Sequence, residues 1–415
     1  MRACESGEEI WFPKGAKAPV PIPFDTFLLK VASRCNLACP YCYVYELRDH
    51  GWKSQPSFMA ASTHDAALRR IHDHIVEHSV PVISVIFHGG EPLLVGPDGL
   101  NELAGRTRER LGDVTEVRLG LQTNGTLLDE RIIEIALRNH MRIGLSVDGP
   151  PSHHDRFRFH PNGRGSSHLV EKAARLLRDN PDAFGGILCV VNLDIDPAEL
   201  WNYLCSLRPK SVDLLLPLAT HDHLPPGVSS LSEVARYGDW LVRFLELWYR
   251  AGEDRPDVRY FSSIMRLLLG RVSLVESIGV GYATLIVIES NGYFEAVDSL
   301  KACYDGAAST GFNVFDHSLN RVLKAPAVMS RHMGATSLCS TCRDCSYLHV
   351  CGGGYQPHRY SSARGFQNPS VYCEALKQLI SRIASLMKDE LAAIEAAVPV
   401  HVKDLANARS AQQGV

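Results

Sequence analysis

Ser33-Arg34-Cys35-Asn36-Leu37-Ala38-Cys39-Pro40-Tyr41-Cys42-Tyr43 follows directly on the apolar run Phe27-Leu28-Leu29-Lys30-Val31-Ala32. Three thiols spaced CxxxCxxC in one loop can ligate three irons of a 4Fe-4S cube and leave the fourth iron open to a small molecule. With 12 cysteines in 415 residues, chance produces this spacing about 0.01 times per chain. The bland alternative is zinc, whose structural sites are closed by a fourth Cys or His. The loop has no such ligand, since the nearest histidine is His50.

Outward from this loop, short β-rich runs alternate with helical patterns. Strands are expected near residues 27–32, 82–87, 117–122, 142–147, 187–191 and 213–217, with helices such as 65–78 and 129–139 between them. That rhythm makes parallel βαβ units. A closed eight-unit barrel uses about 31 residues per unit, so this segment predicts an α/β fold with a partial (β/α)6 barrel, open on one side. Each chemically marked segment follows a strand. The cysteine loop comes after the first, His88-Gly89-Gly90-Glu91-Pro92 after the second, Gln122-Thr123-Asn124-Gly125 after the third, and Ser146-Val147-Asp148-Gly149 spans the end of the fourth. Active sites of parallel barrels lie at the carboxyl ends of the strands, so these segments should meet on one rim. A Gly-Gly pair is often a plain turn, but after a strand it also lets backbone approach a ligand closely.

Residues 221–227, His-Asp-His-Leu-Pro-Pro-Gly, break the pattern because their prolines cannot continue it. The expected organisation is an N-terminal arm (1–24), the barrel (25–220), a helical bridge (221–280), a small cysteine-rich domain (281–373) and a C-terminal helix and tail (374–415). Helices are expected at 232–250, 259–271 and 374–396. The aromatics Tyr237, Trp240, Phe244, Trp248 and Tyr249 read as a packing face. Asn291-Gly292 between two apolar runs reads as a tight hairpin that opens the small domain. His74 and His78, four apart on a helix, read as a solvated face.

A second group of cysteines lies downstream. Cys342, Cys345 and Cys351, closed by Cys373, supply four thiolates for an auxiliary 4Fe-4S cluster with no open iron, although four cysteines also suit zinc. Cys303 and Cys339 are left over as ligands of a possible additional cluster, while Cys4, Cys189 and Cys205 read as structural.

The 43 basic and 46 acidic residues give a net charge of -3 and are interspersed, which argues against nucleic acid or anionic membrane as partners. No signal-peptide core and no long apolar stretch is present, so a cytoplasmic protein is expected. In a reducing compartment, clustered cysteines favour metal ligands over disulfides.

CxxxCxxC with the Gly-Gly-Glu-Pro segment resembles the radical S-adenosylmethionine (SAM) enzymes, and the downstream cysteines resemble their SPASM domain. More narrowly, residues 29–46, 297–301, 351–354 and 368–373 resemble the FxsB-type cyclophane-forming peptide maturases. The resemblance implies that the open iron chelates SAM, that Gly89, Gly90 and Glu91 hold its methionyl amino group, and that Ser146 and Arg158 lie around its ribose and carboxylate. It further implies that a 5′-deoxyadenosyl radical takes hydrogen, at a β-carbon, from a ribosomal precursor peptide, and that the resulting radical attacks an aromatic ring to close a cyclophane. The partners are then that peptide and an external flavodoxin- or ferredoxin-like one-electron reductant. One departure stands out: Tyr355 occupies a position where the full SPASM pattern has cysteine. No catalytic base is evident, Tyr304, Asp305 and Asp344 being near cluster ligands only in sequence. The alternatives are sulfatase-maturase-like formation of formylglycine or a thioether and, outside enzymes, an iron-sulfur electron carrier or redox sensor.

Overall fold

Alternation along the second strand shows how the sheet is built. In β2 (Val82–Gly89), Ile83, Val85 and Phe87 are buried while Val82, Ser84, Ile86 and His88 stay partly accessible. A period of two sends successive side chains to opposite faces. One face joins the core with Ala67, Leu68 and Ile71 of helix α1 (Ala61–His78) and Leu100 and Ala104 of helix α2 (Gly96–Leu111). The other faces the concave interior. Strands β3 (Glu116–Thr123) and β4 (Met141–Ser146) split likewise, leaving Gln122 and Ser146 on the inner side. A Cβ at Gly144 would overlap the end of the Gln122 side chain, which would have to shift.

The structure is a computed structural model and describes residues 21–397. Strand β1 (Thr26–Ala32) leads into β2, β3 and β4. These are followed by β5 (Phe184–Val190), β6 (Ser211–Leu215), the two-residue β7 (Asp257–Val258), β8 (Leu285–Ile288), β9 (Tyr293–Glu295) and β10 (Ser309–Asn313). The sheet order is β10-β9-β8-β1-β2-β3-β4-β5-β6-β7. Strands β1 to β6 are parallel neighbours in chain order, the expected partial α/β barrel.

The expected hairpin forms at Asn291-Gly292, but it does not open a sheet of its own. Strand β8 pairs parallel with β1, Thr26 facing Leu285, and β9 and β10 continue antiparallel from it. The sheet therefore runs through the boundary expected at residue 281. The reason lies in β1, whose second edge would otherwise present unpaired backbone groups, and in the apolar Leu-Ile-Val-Ile of β8, which suits a strand covered on both faces.

Helix α7, counted here after α3 (Glu130–Arg138), α4 (Pro151–Phe157), α5 (Ser167–Asp179) and α6 (Pro197–Ser206), spans Ala235–Arg250. It buries the aromatics as a packing face, Trp240 stacking on Phe244 at 5.4 Å. The C-terminal helix Cys373–Ala397 lies against it, with Arg382 and Glu246 paired at 2.8 Å. The bridge also holds helix α8, Arg259–Leu268. Residues 1–20 of the expected arm, with Cys4, and the tail beyond 397 lie outside the described residues. Among the described residues no helix is long and apolar enough to cross a membrane.

His74 corrects an expectation. It is buried rather than solvated, its Nε2 accepting the Phe24 N–H at 2.9 Å, while His78 bonds Asn320 at 2.7 Å. Burial holds His64, His74, His88 and His154 down to about 4. An unfolded histidine titrates near about 6.5, so each of these groups gains a proton on unfolding between those values. Their stabilisation is complete above about pH 6.5 and is lost as pH falls toward about 4, with a combined slope of up to about 5 kcal/mol per pH unit. The thermal midpoint is expected to be flat above neutrality and to drop steeply below it. A midpoint unchanged down to about pH 5 would refute the buried, neutral state of these rings.

Candidate active site

The cysteine loop leaves β1 and is fastened by the segment after β2. Gly90 N–H donates to the Ala32 carbonyl and Glu91 N–H to the Arg34 carbonyl, both at 2.9 Å. Gly89 has φ of +154°, and a Cβ there would strike the Ala32 carbonyl; one on Gly90 would strike Arg34 and Tyr45. The glycines thus permit a close approach first of all to the cysteine loop.

Glu91 does not reach the open rim. It is fully buried, and its carboxylate accepts from Thr123 Oγ1 at 2.7 Å, Asn124 N–H at 2.8 Å and Leu93 N–H at 3.0 Å. Its side chain ties the second loop to the third. Burial pushes Glu91 up to about 7, against the pull of those three donors. Glu91→Gln would turn an amide N–H₂ toward donors, leaving buried groups unsatisfied at about 1–3 kcal/mol each. A lowered denaturation midpoint is expected, and an unchanged one would show that the loop tie is dispensable.

The third loop closes on the cysteines through Asn124. Its Nδ2 donates to Asn36 Oδ1 at 2.9 Å and approaches Cys35 Sγ at 3.7 Å, while Leu37 N–H donates to the same sulfur at 3.4 Å. From the fourth loop, Asp148 accepts from Arg158 Nε at 2.7 Å, from Val190 N–H at 3.0 Å and from the Tyr41 hydroxyl. This places the Arg158 guanidinium 5.6 Å from the centre of the Tyr41 ring. Ser146 Oγ accepts from Gln122 Nε2 at 3.0 Å on the inner face. The four marked segments therefore converge on one rim, as their positions after the strands required.

Burial pushes the thiols of Cys35 up to about 12 and Cys39 up to about 11, and raises Cys42 as well. Arg158 opposes this at Cys39, and Lys30 and Arg158 oppose it at Cys42. Buried cations and donors aimed at sulfur are what three thiolates need, so the residues present fit a 4Fe-4S cluster held by three cysteines. Among the described residues no three Cys, His, Asp or Glu side chains converge around a single ion. A cube, with one cysteine per iron, does not ask them to.

A buried polar group on the inner side escaped the sequence reading. Lys30 Nζ pairs with Asp298 at 2.6 Å and lies 3.4 Å from His88 Nδ1, and the hydroxyl of Tyr43, next to Cys42, donates to Asp298 at 2.8 Å. A lysine inside an apolar strand was the available signal, because a buried ammonium requires a partner. Nearby, Lys301 pairs with Glu289 at 2.7 Å and Glu295 at 2.9 Å, pinning the turn that carries Asp298 to β8 and β9.

The second thiol group assembles from Cys342, Cys345, Cys351 and Cys373, which act on one another electrostatically. Cys339 joins them, and its thiol is held low by a hydrogen bond from Cys342. Cys303 does not: its Sγ faces the Pro357 carbonyl at 3.9 Å and its charged neighbour is Asp222. The turn bearing Cys303 packs against residues 356–360. Tyr355 donates to Ser299 Oγ at 2.6 Å, Tyr304 packs on Tyr360 at 5.3 Å, and Asp305 accepts the His50 N–H at 2.8 Å. Asp344 is exposed.

The Radical SAM superfamily profile matches residues 29–201. The chain is 25% identical over 371 residues to a cysteine-type anaerobic sulfatase-maturating enzyme of Clostridium perfringens, covering 86% of this chain and 95% of that protein. It is 23% identical over 407 residues to a serine-type anaerobic sulfatase-maturating enzyme of Bacteroides thetaiotaomicron, covering 90% and 93%. The solved structure of native anSMEcpe with bound AdoMet superposes with a TM-score of 0.76 at 23% identity, over 89% of this chain and 99% of that one. The relatives named above are sulfatase-maturating enzymes rather than members of the narrower cyclophane-forming group, and an electron carrier without catalysis is set aside. With the three-thiol loop on the rim of a partial barrel, residues 29–201 match the radical SAM superfamily, and the chain is a radical SAM enzyme with SAM and 4Fe-4S clusters as its cofactors.

Proposed function

We propose that the protein is a peptide maturase that removes a side-chain hydrogen, at a β-carbon, from a peptide substrate and oxidises a Cys or Ser residue toward formylglycine. The observation that carries this reading is the extent of the match to the sulfatase-maturating enzymes, which spans the barrel and the cysteine-rich half alike. Cys35, Cys39 and Cys42 would hold the SAM-binding cluster, and Cys342, Cys345, Cys351 and Cys373 an auxiliary one. When bound and reduced, the first cluster with SAM supplies a 5′-deoxyadenosyl radical. The chain's own residues bind and orient. The backbone at Gly89–Gly90 serves the methionyl amino group, and Ser146 and Arg158 serve the ribose and carboxylate. Asp148 fixes Arg158, and Asn124 fixes the cysteine loop. The inner strand faces hold the target carbon against the radical and keep water away. A flavodoxin- or ferredoxin-like protein would deliver the electron.

A cyclophane is the second reading. It is favoured by the segments 297–301 and 368–373 together with the place of Asp298, which touches the cysteine loop through Tyr43. Anaerobic incubation with reductant, SAM and candidate peptides separates the products by mass spectrometry. Formylglycine from cysteine loses sulfur and yields an aldehyde that a hydrazide traps. A cyclophane loses two hydrogens, keeps every cysteine and traps nothing. Absence of 5′-deoxyadenosine from reconstituted protein would overturn both.

A further inference from the structure

Arg359 is a buried cation without an anion. It closes the 3-10 turn Gln356–Arg359 that follows Cys351-Gly352-Gly353-Gly354-Tyr355, and it is 6% exposed. Its Nε and Nη1 are buried with no hydrogen-bond partner. Among the described residues no carboxylate pairs with it, whereas Arg331, at comparable depth, pairs with Glu276 at 2.7 Å, and the half-buried Arg158 pairs with Asp148 at 2.7 Å. Desolvating a guanidinium with nothing opposite costs several kcal/mol, so a folded protein that does so normally holds an anion there.

The surroundings identify that anion. The Arg359 side chain runs along the glycine turn, its Cδ 3.6 Å from where a Cβ on Gly353 would lie. Its electrostatic neighbours are Cys342, Cys339 and Cys351. Two of these are ligands in the proposed auxiliary set, and Cys339 is hydrogen-bonded to one of them. The backbone is held in place independently, since Asn368 Nδ2 donates to the Arg359 carbonyl at 2.9 Å. The chain sets no hydrogen-bond acceptor against the Arg359 Nε and Nη1 among the described residues, whereas four thiolates on an iron-sulfur cube carry net negative charge.

We propose that Arg359 is the built-in counter-ion of the auxiliary cluster, turning its free N–H groups toward the cluster's sulfurs and raising its reduction potential. The proposal rests on the assignment of Cys342, Cys345, Cys351 and Cys373 as ligands of a 4Fe-4S cluster. Net charge and hydrogen bonds to sulfur are the protein's main controls on such potentials, and a fixed positive charge favours the form that has gained an electron. Arg359 is thereby a positioning residue for electron transfer, not a catalytic one.

The test uses the full chain with Cys35, Cys39 and Cys42 replaced by alanine, so that one cluster remains, reconstituted anaerobically and titrated by EPR. Arg359→Gln is expected to shift the midpoint to lower potential, and Arg359→Lys, which keeps the charge, to restore most of the shift. A wild-type midpoint in Arg359→Gln at full iron content overturns the proposal. If Arg359→Gln takes up no iron, unfolding of the metal-free proteins decides. A counter-ion predicts metal-free Arg359→Gln at least as stable as its metal-free parent, because the parent pays for an unpaired charge; a loss of stability there marks a structural role and overturns it. Zinc, or absence of iron and sulfide, in the parent itself would instead sink the ligand assignment beneath the proposal.

Discussion

Chains with alanine at Cys35, Cys39 and Cys42 are expected to produce no 5′-deoxyadenosine above background and to lose about four irons while keeping their fold. The three side chains sit in a loop whose anchors are mostly backbone. Gly90 and Glu91 bond to the Ala32 and Arg34 carbonyls, and Ala38 N–H to the Phe159 carbonyl at 2.8 Å. Removing sulfur leaves those bonds in place, so far-UV circular dichroism and the thermal midpoint should stay near the parent values. Chemistry, by contrast, would have no second route if Cys342, Cys345, Cys351 and Cys373 fill every iron of the second cluster, as proposed above. Cys205→Ser, in helix α6 away from both thiol groups, should leave iron content and turnover unchanged. If the triple variant still cleaved SAM, the open-iron assignment would be wrong. Asn124→Ala should have a smaller effect, because it removes one donor to Cys35 Sγ and one tie to Asn36 rather than a ligand.

Asp298→Ala is expected to destabilise the protein by about 3–5 kcal/mol, the cost of leaving a buried ammonium uncompensated. Lys30 is 2% exposed and pairs with Asp298 at 2.6 Å. Lys30→Met combined with Asp298→Leu should recover most of that loss, because desolvation of both charges disappears together. Equal destabilisation in the single and double variants would show that shape rather than charge is at stake. Burial alone would raise the Asp298 carboxyl, but Lys30, His88 and the bond from Tyr43 hold it well below the usual carboxylate range. Its stabilisation is therefore present above the unfolded value of about 3.9 and is lost only as pH falls below that. Acid loss from this pair is separable from that of the buried histidines, which begins near about pH 6.5. The same substitution should also lower turnover, since Asp298 connects β1, the cysteine loop and the turn at residues 298–302.

Legibility differed from place to place for physical reasons. The parallel units between residues 27 and 217 were readable because each strand and helix carries its own period, and local periodicity survives without knowledge of neighbours. His74 was misread because its helix borders Phe24 and residue 320, partners that no local window contains. The partners of the Glu91 side chain are out of local reach for a related reason. Its motif advertises a polar group after a strand, but Thr123 and Asn124 surround it only once the third loop folds over.

What the chain by itself determined was the order of the strands, the spacing of both thiol groups and the position of every marked segment at a strand's end, all local properties of backbone geometry and side-chain type. Tertiary structure alone decided that β8 completes the edge of β1, that Cys339 lies with the second thiol group, and that Lys30 and Asp298 meet across 268 residues. These depend on which unpaired edges and buried charges come within reach after collapse, and Coulomb and hydrogen-bond energies act on distance in space rather than on separation along the sequence.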